Sequence, residues 1–166
     1  MKENNEQNLS QVQMVAHAAM IAAVYVVLTM LFAPFSFRAI QVRVSEALTI
    51  LPLFTPAAVP GLFVGCILAN MLGGAIIWDV IFGSLATLIG AVAGMMLRKN
   101  RWLVPIPAIA ANTVIVPLVL RYGYGENLPI LLMAVYVAAG EIISCYVLGE
   151  LLAEVLLRYR NVIFRS

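Results

Sequence analysis

The amino-acid sequence predicts an all-α membrane protein, folded as a compact bundle of six transmembrane helices. Of its 166 residues, 63% are hydrophobic and only 11% are charged, and the mean hydropathy is +1.00. A soluble domain of this length cannot cover so much apolar side-chain surface with so few polar residues. The apolar residues also form continuous runs rather than an alternating pattern, which indicates membrane helices instead of a barrel.

Six apolar runs follow one another along the chain, and a helix needs about 20 such residues to cross the hydrocarbon. In order they lie at roughly 14–33, 44–55, 57–77, 79–97, 102–121 and 128–157. The run at 44–55 is short and contains Pro52, so a re-entrant segment is the alternative to a full span there. Residues 1–13 are polar and are predicted to form a cytoplasmic N-terminal tail, which leaves 14–166 as the membrane domain.

The basic residues predict a multi-pass protein of the cell membrane with both termini in the cytoplasm. Six spans place most of these residues inside, as the positive-inside rule expects. A re-entrant second run would instead put the cluster RKNR at 98–101 outside. The basic residues predicted to lie outside are Arg38, Arg43 and Arg121.

Several function classes are disfavoured by the residues present. Cys66 and Cys145 lie in separate apolar runs, so we interpret them as packing residues, and a single histidine, His17, completes no metal or catalytic motif. The sequence contains no phosphate-binding loop. We therefore expect no enzyme activity and no cofactor or metal in this chain. A net charge of +2 also disfavours nucleic-acid binding.

Small residues recur at every fourth position in three runs, and this spacing predicts close contacts between helices. In the third and fourth runs we expect these contacts to lie within the bundle. In the first run, packing within the chain and contact with a partner protein both remain open. The positions are Gly61, Gly65, Ala69 and Gly73; Ala86, Gly90 and Gly94; and Ala18/Ala22 and Ala19/Ala23.

Polar side chains at membrane depth cost about 2.5–3.5 kcal/mol each on insertion scales when charged, so they usually line a site. Six of them are predicted to lie between the outer surface and the midplane, which indicates a pocket open to the outside rather than a channel. They are Arg43, Glu46, Asn70, Asp79, Asn112 and Glu141.

Structural roles are the alternative for most of these side chains. Glu46 can pair with Arg43, Asp79 can mark a helix start beside an interfacial Trp78, and the asparagines can join neighbouring helices. Glu141 has no basic residue within a helical turn and is the strongest candidate for ligand binding.

The segment VRVSEALTILPLFTPAAVPGLFVGCILANMLGG, residues 42–74, is the most specific part of the sequence. It resembles the QueT family of queuosine-precursor transporters, whose members are substrate-binding S-components of energy-coupling factor (ECF) transporters. The resemblance implies a substrate held near the outer face, beneath a loop between the first two spans. It also implies a membrane coupling subunit and two ATPase subunits as partners, with the S-component toppling in the bilayer to release its substrate inward.

The resemblance further implies a 7-deazaguanine base as substrate, in its aminomethyl or cyano form or as queuine. Glu141 would accept the two N–H donors of the guanine-like edge, and Asn112 or Asn70 would meet the carbonyl side. Asp79 or Glu46 would hold an aminomethyl cation. Stacking is expected from Trp78 or from another aromatic residue near the outer face, namely Phe35, Phe37, Tyr122, Tyr124 or Tyr136.

Two elements of the resemblance concern moving parts. Arg38 and an Arg43–Glu46 pair would brace the outer loop, while Pro52, Pro56 and Pro60 bend the chain into the third helix. The coupling subunit would contact an alanine face of the first helix, through either Ala18 and Ala22 or Ala19 and Ala23.

Two other functions fit the same sequence. The chain could be an S-component for another flat heterocycle, such as a vitamin or a purine. It could also be a non-transport structural membrane protein that dimerises through its glycine faces, and such a protein would bind no small molecule.

Overall fold

The computed structural model describes the backbone of residues 2–32 and 43–159 and the side chains of 11–32 and 43–159. Every regular element in these residues is helical, which confirms the all-α class. The last three elements form one continuous helix. The elements are α1 Lys2–Leu31, a 3-10 helix Val44–Leu53, α2 Ala58–Leu72, α3 Ile77–Met96, a short 3-10 turn Arg101–Leu103, α4 Ile106–Tyr122, α5 Ile130–Glu141, a π-helix Ile142–Leu148 and α6 Gly149–Arg158.

Four helical stretches are long and apolar enough to cross a membrane: Gln11–Leu31, Ile77–Met96, Arg101–Tyr122 and Ile130–Arg158. The other two apolar helices are shorter. The 3-10 helix of 10 residues extends about 20 Å and α2, with 15 residues, about 22 Å, against a hydrocarbon thickness of about 30 Å. Six complete spans therefore stay a prediction. α1 begins at Lys2 and so runs through most of the predicted tail 1–13, whose place in the cytoplasm stays a prediction.

The contacts between helices fix the path of the chain. Gly61 of α2 lies against Ala18, and Gly65 lies against Tyr25, so α1 and α2 run in the same direction. One segment joins them, and it must therefore return along the bundle. The hydrogen bond from Thr29 to Ser45, at 2.7 Å, places the start of the 3-10 helix beside the end of α1, as this path requires.

The 3-10 helix lies in the middle of the bundle. Residues Ser45–Pro52 are all buried, and the helix contacts α1, α2, α3, the π-helix and α6. Helices α1 to α5 pack against their neighbours in chain order around it. Its apolar side chains, including Ile50 and Leu51, anchor it in this core. A polar residue on this helix, such as Glu46, is consequently held inside the protein.

Small residues make the closest helix contacts, as their spacing predicts. A Cβ atom added at Gly90 of α3 would lie 2.6 Å from the Cα of Ala108 on α4, so a larger residue has no room there. Gly73 departs from the prediction because it is exposed and follows the last residue of α2. Gly74 then adopts a φ of 73°, a left-handed conformation that favours glycine and ends the helix within the predicted run 57–77.

Pro56 and Pro60 lie where the chain turns from the 3-10 helix into α2, as predicted, whereas Pro52 lies inside the 3-10 helix and is buried. Pro56 occupies the turn itself, and Pro60 is the third residue of α2, where a missing backbone N–H breaks no helical hydrogen bond. The turn is further held by Thr55, whose hydroxyl accepts a hydrogen bond from the Ala57 N–H at 3.3 Å.

Candidate binding site inside the bundle

Six of the predicted site residues are buried inside the bundle, each with 6% or less of its surface exposed. They come from the 3-10 helix or the residue before it, α2, α3, α4 and α5. Burying such groups is unfavourable unless they find hydrogen-bond partners, so their contacts define the site. The six are Arg43, Glu46, Asn70, Asp79, Asn112 and Glu141.

One group of contacts lies where α2 ends and α3 begins. The Arg43 guanidinium donates to Asn70 Oδ1 at 2.8 Å, and Asn70 Nδ2 donates to the Asp79 carbonyl oxygen at 3.4 Å. The Tyr124 hydroxyl donates to Asp79 Oδ2 at 3.1 Å. We call Arg43, Asn70, Asp79 and Tyr124 the outer cluster, after the side of the membrane that this end is predicted to face.

Tyr124 connects the loop after α4 to the start of α3. Besides donating to Asp79, its hydroxyl accepts a hydrogen bond from the Ile76 N–H at 3.3 Å, one of the backbone donors left unpaired at a helix start. Partial burial, together with the nearby Asp79 carboxylate, raises the pKa of the Tyr124 hydroxyl above its ordinary value. The hydroxyl therefore stays protonated and keeps donating at physiological pH.

A second group lies deeper, between the 3-10 helix and α5. The Tyr25 hydroxyl donates to Glu46 Oε1, and Cys145 Sγ donates to Glu141 Oε2 at 3.1 Å. Asn112 of α4 is a further hydrogen-bonding neighbour of the Glu141 carboxyl group. We call Tyr25, Glu46, Asn112, Glu141 and Cys145 the inner cluster.

Two carboxyl groups meet in the inner cluster. One oxygen of Glu46, one of Glu141 and Cys145 Sγ all lie within 4.8 Å of one another. At an effective dielectric constant of 20, two unit negative charges at that separation repel by about 3 kcal/mol. Glu46 Oε2 has no hydrogen-bond partner among the described residues. A ligand that brings N–H donors or positive charge would reduce the repulsion between the two acids and would give Glu46 Oε2 a hydrogen-bond partner.

The same three residues offer ligand atoms that a metal ion can use. A thiolate and two carboxylates are a possible set for a divalent cation. Nothing in the arrangement requires an ion, because the Tyr25 and Cys145 hydrogen bonds already serve two of the carboxylate oxygens. The expectation of a metal-free chain stays a prediction.

Comparison with known proteins bears on what this site serves. The model of a protein family described as QueT transporter matches residues 15–158. The chain belongs to the QueT transporter family. The family resemblance carried by residues 42–74 is thereby confirmed. Membership of a transporter family, together with four helices long enough to cross a bilayer, indicates a multi-pass membrane protein and not an enzyme.

A named relative of this QueT-family chain is the "Queuosine precursor transporter QueT" of Lactococcus lactis subsp. cremoris (strain MG1363). The two are 38% identical over 82 residues, which cover 48% of this chain and 47% of the relative. The alignment thus spans about half the length of each protein. No solved structure matches the chain.

Trp78 is not buried with the other predicted site residues of the QueT-family chain. Its indole is 54% exposed and stacks on Phe82, with ring centroids 6.0 Å apart. The two rings line an apolar groove of about 630 Å³ between α3 and α4, together with Tyr122. A stacking role for Trp78 in substrate binding stays a prediction, and its exposure at the start of α3 also suits the interfacial role that the sequence allowed. Phe35, Phe37 and Arg38 lie outside the described residues.

The hydrogen bonds described for Arg43 and Glu46 go to different residues, although the charge of Arg43 still attracts Glu46, as the sequence suggested. The Arg43 guanidinium reaches Asn70, while Glu46 accepts from Tyr25. Through these hydrogen bonds, Arg43 is attached to α2 and Glu46 is attached to α1.

The two alanine pairs of α1 face different surroundings. Ala18 and Ala22 lie against the glycines of α2, where a Cβ at Gly65 would come within 3.1 Å of Ala22 Cα. Ala19 and Ala23 are exposed. The first pair is therefore used for packing within the chain, while a partner contact through the second pair stays a prediction.

Three residues of the site were not predicted as such. Tyr25 lies in an apolar run, and its polar tip, with Thr29 one turn later, was the available signal. Tyr124 was considered only for stacking. Cys145 was interpreted as a packing residue, yet it lies in the π-helix and contacts Glu141, and π-helical turns are frequent at functional sites.

Proposed function

We propose that this chain is the substrate-binding subunit, or S-component, of an ECF-type importer. It captures a queuosine precursor, a 7-deazaguanine base, from outside the cell and delivers it inward with an ATP-driven partner module. Membership of the QueT family and the name of the Lactococcus relative support this proposal. The observation that carries it is the close pair of buried carboxyl groups, Glu46 and Glu141, with Asn112 beside them.

The chemistry of the carboxylate pair fits the substrate. A 7-deazaguanine base carries three N–H bonds on one edge, one on the ring nitrogen and two on the exocyclic amine. Glu141 accepts the ring N–H and one amine N–H, and Glu46 Oε2 accepts the remaining amine N–H. Asn112 then meets the lactam oxygen. In this proposal both acids serve the same edge, and Glu46 no longer holds the aminomethyl group.

The outer cluster suits the opposite side of the base. Asp79 is an acid that a 7-aminomethyl cation can approach. Tyr124 holds the Asp79 carboxylate in position, and Asn70 donates to the Asp79 backbone carbonyl oxygen. A base lying across both clusters would have its N–H edge deep in the bundle and its substituent toward the outside. The same orientation lets a single acid, Asp79, distinguish the cationic form from neutral ones.

The partners in this proposal are a membrane coupling subunit and two ATPase subunits. The exposed Ala19 and Ala23 give α1 a face with little side-chain bulk, on which a partner helix can approach closely. Such a face also lets one helix slide along another without large side chains interlocking.

Equilibrium binding to the purified protein in detergent tests the proposal. We expect tight binding of 7-aminomethyl-7-deazaguanine, weak competition by guanine, which lacks the aminomethyl group, and none by thiamine or riboflavin. Glu141→Gln should weaken binding by about 100-fold or more, since an amide cannot accept both donors. Glu150→Gln, at the far end of the bundle, is the matched control and should bind as the natural protein does.

The other outcomes are equally informative. Tight binding of thiamine or riboflavin in place of the deazaguanine would assign the chain to another flat heterocycle. Binding of none of these compounds would contradict the capture function and favour a structural membrane protein.

A further inference from the structure

A groove at the opposite end of the bundle contains three basic residues that lie close together in the sequence, Arg98, Lys99 and Arg101. It has a volume of about 570 Å³ and is lined by Leu53, Phe54, Arg98, Lys99, Arg101 and Leu157. We call it the basic groove. It lies where the 3-10 helix ends, where α3 passes to α4 and where α6 ends, so residues far apart in sequence build it. Its volume falls in the range of about 300–1,000 Å³ that small-molecule sites occupy.

The cations of the basic groove are only partly neutralised. Glu150 forms an ion pair with Arg101, with the carboxylate oxygen 3.5 Å from Nε. The Arg101 guanidinium also lies 4.4 Å from the centre of the Trp102 ring, a cation–π contact that fixes its position. Arg98 and Lys99 are exposed beside it. Among the described residues, one acid against three cations gives the groove a net positive charge.

The remaining walls of the groove are apolar. They are formed by Leu53, Phe54 and Leu157. Trp102 is 47% exposed next to it, and exposed tryptophans of this kind are enriched at the level of the lipid headgroups. A ligand that fits must therefore present an anionic group to the cations and an apolar part to the leucines and phenylalanine.

We propose that the basic groove binds the headgroup of an anionic phospholipid, with the phosphate between Arg98, Lys99 and Arg101 and the first acyl carbons against the apolar wall. Basic pockets between membrane helices on the cytoplasmic side are suited to such headgroups, and this end of the bundle is the one predicted to face the cytoplasm. The site is separate from the inner and outer clusters, so it does not depend on the proposed substrate.

Native mass spectrometry of the full chain tests the proposal. The purified protein is mixed with phosphatidylglycerol and phosphatidylcholine of identical acyl chains, and the bound fraction of each lipid is measured. We expect phosphatidylglycerol to bind at least about tenfold more tightly, and Arg98→Gln or Lys99→Gln to reduce that preference by roughly fivefold each. Arg158→Gln is the matched control, because it removes one exposed charge at the same end outside the groove.

Three other results would contradict the proposal that the basic groove binds an anionic lipid. Equal binding of the two lipids would mean that the groove does not select charge. An equal loss in Arg158→Gln would mean that the general charge of this end, and not the groove, attracts the lipid. If millimolar inorganic phosphate displaces the lipid, and if the protein also binds phosphate when no lipid is present, the groove would be assigned to a soluble phosphate compound instead.

Discussion

Glu46 and Glu141 come from helices about a hundred residues apart, yet their carboxyl oxygens lie within 4.8 Å. An acid is not held beside another acid for the sake of stability, because the repulsion between them opposes folding. Each carboxyl group is partly compensated, Glu46 by Tyr25 and Glu141 by Cys145 and Asn112, with the charge of Arg43 acting on both. The arrangement is therefore the one expected where binding, and not stability alone, determines which residues are present.

Replacing one acid of the pair should separate stability from binding. We expect Glu46→Gln to leave the melting temperature of the ligand-free protein within a few degrees of its original value, because the amide oxygen still accepts from Tyr25 and the lost attraction to Arg43 offsets the removed repulsion from Glu141. The same variant should weaken binding of the deazaguanine by roughly tenfold. Differential scanning fluorimetry gives the first value, with the exposed Glu154→Gln as control. A decrease of more than a few degrees in Glu46→Gln would show that the pair is structural.

Tyr124 provides a pH-dependent contact outside the membrane spans. Because its pKa is raised, the folded protein favours the protonated hydroxyl, so this contribution to stability is complete below pH 10 and is lost as pH rises through the raised value. Tyr124→Phe should cost about 0.5–1 kcal/mol at pH 8, through the lost hydrogen bonds to Asp79 and Ile76. Unfolding measured from pH 8 upward should show the two proteins converging only above about pH 10. A difference that disappears below that pH would contradict this account.

At the scale of helices, the 3-10 helix was harder to predict from the sequence than the glycine contacts between helices. The run at 44–55 could be recognised as apolar, but the ten residues that form its helix are too few to tell a period of 3.0 from one of 3.6. Its burial on all sides depends on five neighbouring elements, and no local pattern records those. The small residues were predictable because their spacing of four is itself the signal, whereas Gly73 shared the spacing but falls after the end of α2.

The contact between α3 and α4 should tolerate no side chain at Gly90. Gly90→Ala places a Cβ 2.6 Å from the Ala108 backbone, so the helices must separate, at a cost of about 1–3 kcal/mol. Gly149→Ala is the matched control, since its Cβ would meet its nearest neighbour at 3.4 Å, an ordinary contact. Thermal unfolding of both variants measures the difference. Equal stability of the two would mean that the α3–α4 contact is looser than described.

The exposed alanine face of α1 should matter for partners and not for the substrate. We expect the Ala19→Leu and Ala23→Leu changes together to reduce co-purification with the coupling subunit by about tenfold, because leucine blocks a close helix approach. Affinity for the deazaguanine should be unchanged in the isolated subunit. Ala139→Leu, which changes an exposed alanine on α5, is the control. Unaltered co-purification in the double variant would place the partner elsewhere.

At the scale of the whole molecule, two ends of one bundle carry different chemistry. One end and the interior hold the polar clusters, and the other holds the basic groove beside Trp102. Composition and apolar runs predicted the helical class, and the six polar residues within or beside those runs were predicted to line a common pocket; all six are buried. The pairing of Glu46 with Glu141, and the roles of Tyr25 and Cys145, could not be predicted, because they depend on how distant helices pack.

The measurement that tests the central claim most directly is the affinity for 7-aminomethyl-7-deazaguanine compared with its analogue lacking the exocyclic 2-amino group. If Glu46 and Glu141 share the N–H edge, the analogue leaves Glu46 Oε2 unpaired, and it should bind about 100-fold or more weakly. In Glu46→Gln that discrimination should fall by about tenfold, because one of the two acceptors is changed. Equal affinity of the protein for the base and its analogue would contradict the account.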